Sequence, residues 1–196
     1  MMIKRIVSQL EKHCCGIHPL AAVYKHYYRE VVLNEIALGN ISRNSRVINV
    51  GCGAIPFTAM LLSEITGARV TAMDRDYEAS QCAQKSLARF KLDNLVDVLH
   101  GDACNYPWRA GRFDVALIAL QAEPKSEIIE NLSNVVKRLI VRVPSEPFQY
   151  QYDHLPPNLE ILRSVPQNMK TFNQSVLIPA KPENRGVLHP SMNALS

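Results

Sequence analysis

No apolar run in the chain approaches the length needed to cross a bilayer, and the first residues lack the apolar core of a secretion signal. These absences predict a cytoplasmic protein with no membrane partner. Cysteine is sparse and odd in number. The five residues Cys14, Cys15, Cys52, Cys82 and Cys104 contain no CxxC pair, so reduced thiols suit them better than a disulfide framework. His13, Cys14, Cys15 and His18 gather near the start, but no second ligand group stands at a recognisable spacing, so no metal site is expected. An excess of one charge is also missing. Lys and Arg number 22 against 18 Asp and Glu, for a net charge of +4, and they are scattered rather than striped. That pattern does not indicate a nucleic-acid surface. Internal repeats and low-complexity tracts are absent as well.

What remains is an ordinary composition, 47% apolar and 20% charged, in 196 residues, which suffices for one well-cored α/β domain. The first 44 residues read as helical, with "IVSQLEKHCC" and "YKHYYREVVLNEIALGN" apolar at helical spacing and Gly39-Asn40 as a C-cap. From Ser45 the pattern alternates. "RVINV", "RVTAMD", "VDVLH", "FDVALIAL" and "LIVRV" read as strands. "PFTAMLLSEIT", "YEASQCAQKSLARFKL" and "SEIIENLSNVVKRL" read as the helices between them. Such alternation predicts right-handed βαβ units and a doubly wound, mostly parallel sheet covered on both faces. After Val143 several prolines interrupt it, and "LEILRSV" and "QSVLIPA" read as an antiparallel pair closing the sheet. The expected organisation is therefore a helical lid or extension over 1–44, an α/β domain over 45–181 and a loose tail over 182–196.

In a doubly wound sheet the ligand sits at the carboxyl ends of the strands, where the strand order reverses. The first such loop is "VGCGAIPFT". Gly51 and Gly53 let the backbone approach a ligand closely, with Cys52 and Ala54 completing the loop. Asp74 ends the second strand, 21 positions after Gly53, where a carboxylate can accept both ribose hydroxyls of a nucleoside. Arg75 follows it, and Asp76 reads as the N-cap of the next helix. "GDA" after the third strand places Asp102 and the Ala103 amide against an adenine edge, and Leu120 ends the fourth strand. The third glycine of a dinucleotide fingerprint is missing, and Ile55-Pro56 stands there instead. That glycine serves tight packing beneath a pyrophosphate. The loop therefore suits a nucleoside without phosphates, and S-adenosylmethionine is the expected cofactor.

From about Ser45 to Lys181 the chain resembles the class I S-adenosylmethionine-dependent methyltransferases. "VINVGCG", "VTAMD", "GDA" and "FDVALIAL" are similar to their successive motifs, and the closing antiparallel pair is similar to their last two strands. The resemblance implies a Rossmann-like methyltransferase fold with seven strands, the last antiparallel. A narrower likeness accounts for the missing glycine. "GCGAIPFT" resembles the glycine loop of the nicotianamine-synthase family, which carries a "GPLPLT"-like stretch. "LIVRVPSEPFQY" and "FNQSVLIPAK" are similar to that family's later strands. Gln174 stands where the family usually has asparagine, and Val143 where it often has serine. The family's larger N-terminal helical domain is reduced here to some 44 residues. Those enzymes transfer the aminocarboxypropyl group of S-adenosylmethionine rather than its methyl.

Either transfer starts from a sulfonium that is already a good leaving group, so alignment in a site closed to water is the main task. The residues after the fourth strand, Leu120 to Glu123, face the reacting carbon in this fold. Glu123 is a candidate base or amine anchor, and Tyr150 a candidate for the acceptor pocket within "PFQYQYDHLPP". Tyr24, Tyr27 and Tyr28 could cover the cofactor from the N-terminal helix, and paired N-terminal helices would allow a homodimer. The expected activity is a methyl transfer to a small molecule. Aminocarboxypropyl transfer and a non-catalytic cofactor-binding subunit are the alternatives.

Overall fold

The computed structural model describes residues 18–109 and 112–180, with side chains from residue 28 onward. The predicted helix over "IVSQLEKHCC", the tail over 182–196 and the side chains of Tyr24 and Tyr27 lie outside the described residues.

The chain runs α1 (His18–Gly39), β1 (Arg46–Val50), α2 (Phe57–Thr66), β2 (Arg69–Asp74), α3 (Tyr77–Arg89), β3 (Val96–His100) and β4 (Val115–Ile118). It continues through α4 (Lys125–Leu132), β5 (Arg138–Pro144), a short 3₁₀ turn (Glu146–Phe148), β6 (Arg163–Pro166) and β7 (Phe172–Pro179). Chain direction reverses where small or polar residues take positive φ: Asn40 at 48° after α1 and Gly67 at 73° after α2. Asp76 caps α3, its carboxylate accepting from the Glu78 and Ala79 amides at 2.9 and 3.2 Å.

Seven strands form one sheet in the order β3-β2-β1-β4-β5-β7-β6. β1 pairs in parallel with β2 and β4, β2 with β3, and β4 with β5. β7 runs antiparallel to both β5 and β6. This is the expected Rossmann-like methyltransferase architecture. The order reverses at β1, whose neighbours β2 and β4 lead away from it on opposite sides, so the crevice at the end of β1 is the ligand position for such a sheet.

Side chains alternate between two cores. Val47, Val70, Val115, Leu117 and Ile140 point to the face covered by α1, α2 and α3. Ile48, Val50, Ile118, Leu139 and Val141 point to the face covered by α4 and its flanking turns. Two expected elements are shorter than the sequence pattern. The helix over "SEIIENLSNVVKRL" ends at Leu132, where the Ser133 hydroxyl donates back to the Ile129 carbonyl at 2.6 Å. Val135 and Val136 then turn inward, their amides bonding the Leu132 carbonyl. The strand expected from Leu159 begins only at Arg163, although the Leu162 amide already donates to the Leu177 carbonyl of β7 at 2.9 Å.

α1 is bound to the sheet by a buried polar cluster as well as by apolar packing. Glu35, fully buried, accepts from Arg142 Nε and Nη2 of β5, both at 2.8 Å. Arg142 Nη2 also donates to Thr58 Oγ1 in the first turn of α2, and Ser175 Oγ of β7 donates to Glu35. The Arg142 guanidinium lies between the Tyr28 and Phe172 rings, 5.3 and 5.2 Å from their centroids.

Candidate active site

The loop after β1 is built for close approach. Gly51 and Gly53 have φ of 76° and 71°, and a Cβ on Gly51 would meet the Cβ atoms of Ala122 and Ala119 at 3.1 and 3.3 Å. The Gly51 and Cys52 amides donate to the Met73 carbonyl at 2.8 and 3.0 Å, which anchors the turn to β2. The Cys52 side chain is turned into the core beneath α2, so its backbone is what faces the crevice. Ala54 is buried too, and its carbonyl accepts from the Ser86 hydroxyl of α3 at 3.3 Å.

Asp74 stands beside this turn. One carboxylate oxygen accepts from the Gly53 amide at 2.8 Å, the other from the Asp76 amide at 3.0 Å. The carboxylate is therefore held in one orientation, with lone pairs left for hydroxyl donors. Arg75 follows and its guanidinium reaches the Glu123 carbonyl at 3.0 Å. After β3, Asp102 accepts from the Cys104 amide at 3.0 Å. Burial pushes the Cys104 thiol up to about 11, helped by its bond to Asp102 and that residue's charge. Ala103 is buried, and its carbonyl accepts from Asn131 at 2.6 Å. Gly101 is needed here because a Cβ would fall 2.8 Å from the Tyr106 ring and 2.9 Å from the Met73 methyl.

The loop after β4 closes the crevice on the other side. The Gln121 amide donates to the Gly51 carbonyl at 3.2 Å. Lys125 at the start of α4 is fully buried, and its ammonium donates to the Leu120 carbonyl at 2.8 Å and to that of Ala122 at 3.4 Å. The Glu123–Pro124 bond is cis. Asp153, from the loop after β5, accepts from the Lys125 amide. Leu120 joins Val31 and Phe172 in a small separate apolar cluster, with Tyr28, Tyr152 and Met169 packed against it. Burial raises the Tyr152 phenol, with Tyr28 and Glu123 adding to the effect.

The structure thus brings Gly51, Gly53, Asp74, Arg75, Asp102, Ala103, Leu120 and Glu123 to one end of the sheet. Tyr150 is 82% exposed, and its hydroxyl accepts from Gln151 at 2.7 Å. Its neighbour Tyr152 occupies the place by Leu120. Sequence reasoning missed Lys125, Arg142 and Glu35, whose signal in the sequence is only a charge at a helix end, in a strand and in a helix. Among the described residues no group of three or more His, Cys, Asp or Glu could hold a metal ion.

Strand order, crevice and acidic residue define a class I S-adenosylmethionine-dependent methyltransferase fold, and comparison with known proteins agrees. A family model described as a methyltransferase domain matches residues 47–139. The nicotianamine synthase MtNAS, in a glutamate-to-glutamine variant, superposes with a TM-score of 0.75 at 26% identity. That match covers 89% of this chain and 71% of MtNAS. The same variant in complex with S-adenosylmethionine gives 0.72 at 25% identity over 89% and 72%. The L-histidine 2-aminobutanoyltransferase of Pseudomonas aeruginosa is 33% identical over 83 residues, covering 40% of this chain. The match spans about a third (32%) of that relative's length. The geranyl diphosphate C-methyltransferase of Streptomyces coelicolor shares the fold, with a TM-score of 0.60 at 8% identity over 78% and 75%. The chain thus has the fold of the class I S-adenosylmethionine-dependent methyltransferases and is similar to members of that superfamily.

Proposed function

We propose that the protein is an S-adenosylmethionine-dependent transferase acting on a small-molecule acceptor. The observation that carries this reading is the Asp74 carboxylate, fixed 2.8 Å from the Gly53 amide at the reversal point of the sheet. In this reading its outward lone pairs accept the ribose hydroxyls, Asp102 and the Ala103 amide meet the adenine, and the Gly51–Gly53 turn lies under the sulfur. Residues 45–181 form the cofactor-holding unit, and the preceding helical segment contributes Tyr28 to the acceptor side.

Of the two transfers, the aminocarboxypropyl group is the better supported. The likeness to MtNAS extends over 89% of the chain, and the curated relative is named for a 2-aminobutanoyl transfer. Methyl transfer is the second reading, supported by the match to a methyltransferase domain. In either case the acceptor lone pair forms a bond to the carbon of the transferred group. The C–S electron pair returns to sulfur, leaving a neutral thioether, and the acceptor proton passes to a base. In this reading Glu123 takes that proton. Tyr152, with its phenol raised, stays protonated at neutral pH and serves as a donor to the acceptor. A cytoplasmic location and a homodimer completed by the N-terminal helices belong to the same proposal.

Calorimetric titration with S-adenosylmethionine, S-adenosylhomocysteine and methylthioadenosine, on wild type and Asp74→Ala, tests the site. Micromolar-range binding that weakens at least tenfold in the variant is the expected result. Failure of all three to bind wild type would remove the reading. Turnover with a panel of amines then separates the transfers: methylthioadenosine marks aminocarboxypropyl transfer, S-adenosylhomocysteine marks methyl transfer. Binding without either product would identify a non-catalytic subunit.

A further inference from the structure

Arg75 leaves the end of β2 beside Asp74, yet its guanidinium bonds the Glu123 carbonyl in the loop after β4. Because β1 lies between β2 and β4, the side chain crosses over the end of β1, above the Gly51–Gly53 turn. Its charge also reaches the loop after β3, where it pulls the Cys104 thiol down against the larger upward effects of burial and Asp102. The root of the side chain is held by His100, whose Nε2 lies 3.3 Å from the Arg75 carbonyl. One permanent cation therefore spans the three loops of the crevice. A second cation, the Lys125 ammonium, is buried beneath the loop after β4 and bonded to the Leu120 and Ala122 carbonyls, whereas Arg75 is exposed at the mouth.

We infer that Arg75 shifts the crevice's preference between charged and uncharged sulfur toward the uncharged form, lowering its affinity for the sulfonium cofactor relative to the thioether that keeps the same tail. This rests on the nucleoside reading given above. In-line transfer requires the sulfur to lie between the ribose held at Asp74 and an acceptor facing Leu120 to Glu123. That interval is the one Arg75 crosses. S-adenosylmethionine and S-adenosylhomocysteine share the same amino-acid tail and differ in the positive charge on sulfur, so the guanidinium's repulsion of that charge appears in their affinity ratio. Asp74, Asp102 and Glu123 attract the sulfonium, the buried Lys125 ammonium opposes it from beneath the loop after β4, and the balance of these charges with Arg75 decides absolute affinity. Within the ratio, Arg75 is the charge that opposes the sulfonium from the mouth of the crevice. Since the guanidinium is exposed, solvent and salt screen it, and its share is about fivefold in relative affinity.

The test titrates the full chain with S-adenosylmethionine, S-adenosylhomocysteine and methylthioadenosine, as wild type, Arg75→Gln and Arg75→Lys. In Arg75→Gln the affinity for S-adenosylmethionine relative to S-adenosylhomocysteine, which has the same tail, should rise about fivefold. Arg75→Lys should keep the wild-type ratio, and raising salt should narrow the gap between wild type and Arg75→Gln. A general loosening of the loops would weaken all three ligands together and leave the ratio unmoved. An unchanged ratio in Arg75→Gln, or a Lys variant that behaves like the Gln variant, overturns the inference while the nucleoside reading stands. Absence of binding by wild type to all three overturns both.

Discussion

Asp74 illustrates how much one residue can combine. It orients the glycine turn through the Gly53 amide and is the proposed ribose acceptor, so two substitutions at this position should differ. Asp74→Ala loses both roles and should weaken nucleoside binding by tenfold or more. Asp74→Asn keeps an acceptor oxygen and should lose less, about threefold to tenfold. Calorimetry on both variants separates them. Gly51 is constrained by its φ of 76° and by Ala119 and Ala122 at its back. Gly51→Ala should destabilise the fold by about 1–2 kcal/mol and abolish tight nucleoside binding, measurable by thermal melting and titration. Trp108, the single tryptophan of the chain, offers an internal reporter. Its ring lies 4.3 Å from that of Tyr106, which packs against Gly101 at the adenine-side loop. Nucleoside binding should therefore change its fluorescence, and the change should vanish in Asp74→Ala.

At the level of elements, the join between α1 and the sheet is the strongest polar feature. Glu35 and Arg142 are both almost fully buried and bonded in two places, and the pair reaches α2 through Thr58. Glu35→Gln would leave the guanidinium buried without its counter-charge, at a cost of about 3–5 kcal/mol and a melting temperature lower by on the order of 10 °C. The double substitution Glu35→Leu with Arg142→Met should recover most of that loss, because an apolar pair carries no desolvation cost. Additive losses in the double variant would contradict this account. Lys125 does comparable work for the loop after β4, where it satisfies the Leu120 and Ala122 carbonyls from below. Sequence periodicity located every strand at this level, since each is a short apolar run bounded by turn residues. It overran α4, because Val135 and Val136 continue a helical apolar pattern while their backbone turns inward to fill the core.

Over the whole molecule the two ends of the sheet have different tasks. The end opposite the crevice is stapled by Asp114, which accepts from the Arg46 amide at 2.9 Å and pairs with Lys137 at 2.9 Å. Burial raises the Asp114 carboxyl, but the Arg46 amide bond and the Lys137 and Arg46 charges outweigh that and hold it below its ordinary value of 3.8. A lowered native value stabilises the fold above the unfolded value, and that contribution disappears as pH falls through the native one. Lys137 is largely exposed, so the contribution is under about 1 kcal/mol. Asp114→Asn should accordingly melt slightly below wild type at neutral pH, with the difference closing below the usual carboxylate range.

The sequence alone determined the alternation of strands and helices, the glycine turn without its third glycine, the acid 21 residues on and the antiparallel closing pair. Each is a local signal, set by periodicity, turn chemistry or spacing within one βαβ unit. Tertiary structure decided what joins residues far apart in the chain. It brought Glu35 to Arg142, 107 positions away, and Arg75 to the Glu123 carbonyl, 48 positions away. It also turned Tyr152 inward and Tyr150 out. Such choices depend on which strands become neighbours and which side of a loop faces water, and a charge or an aromatic ring carries no mark of its future partner until the sheet has closed around it.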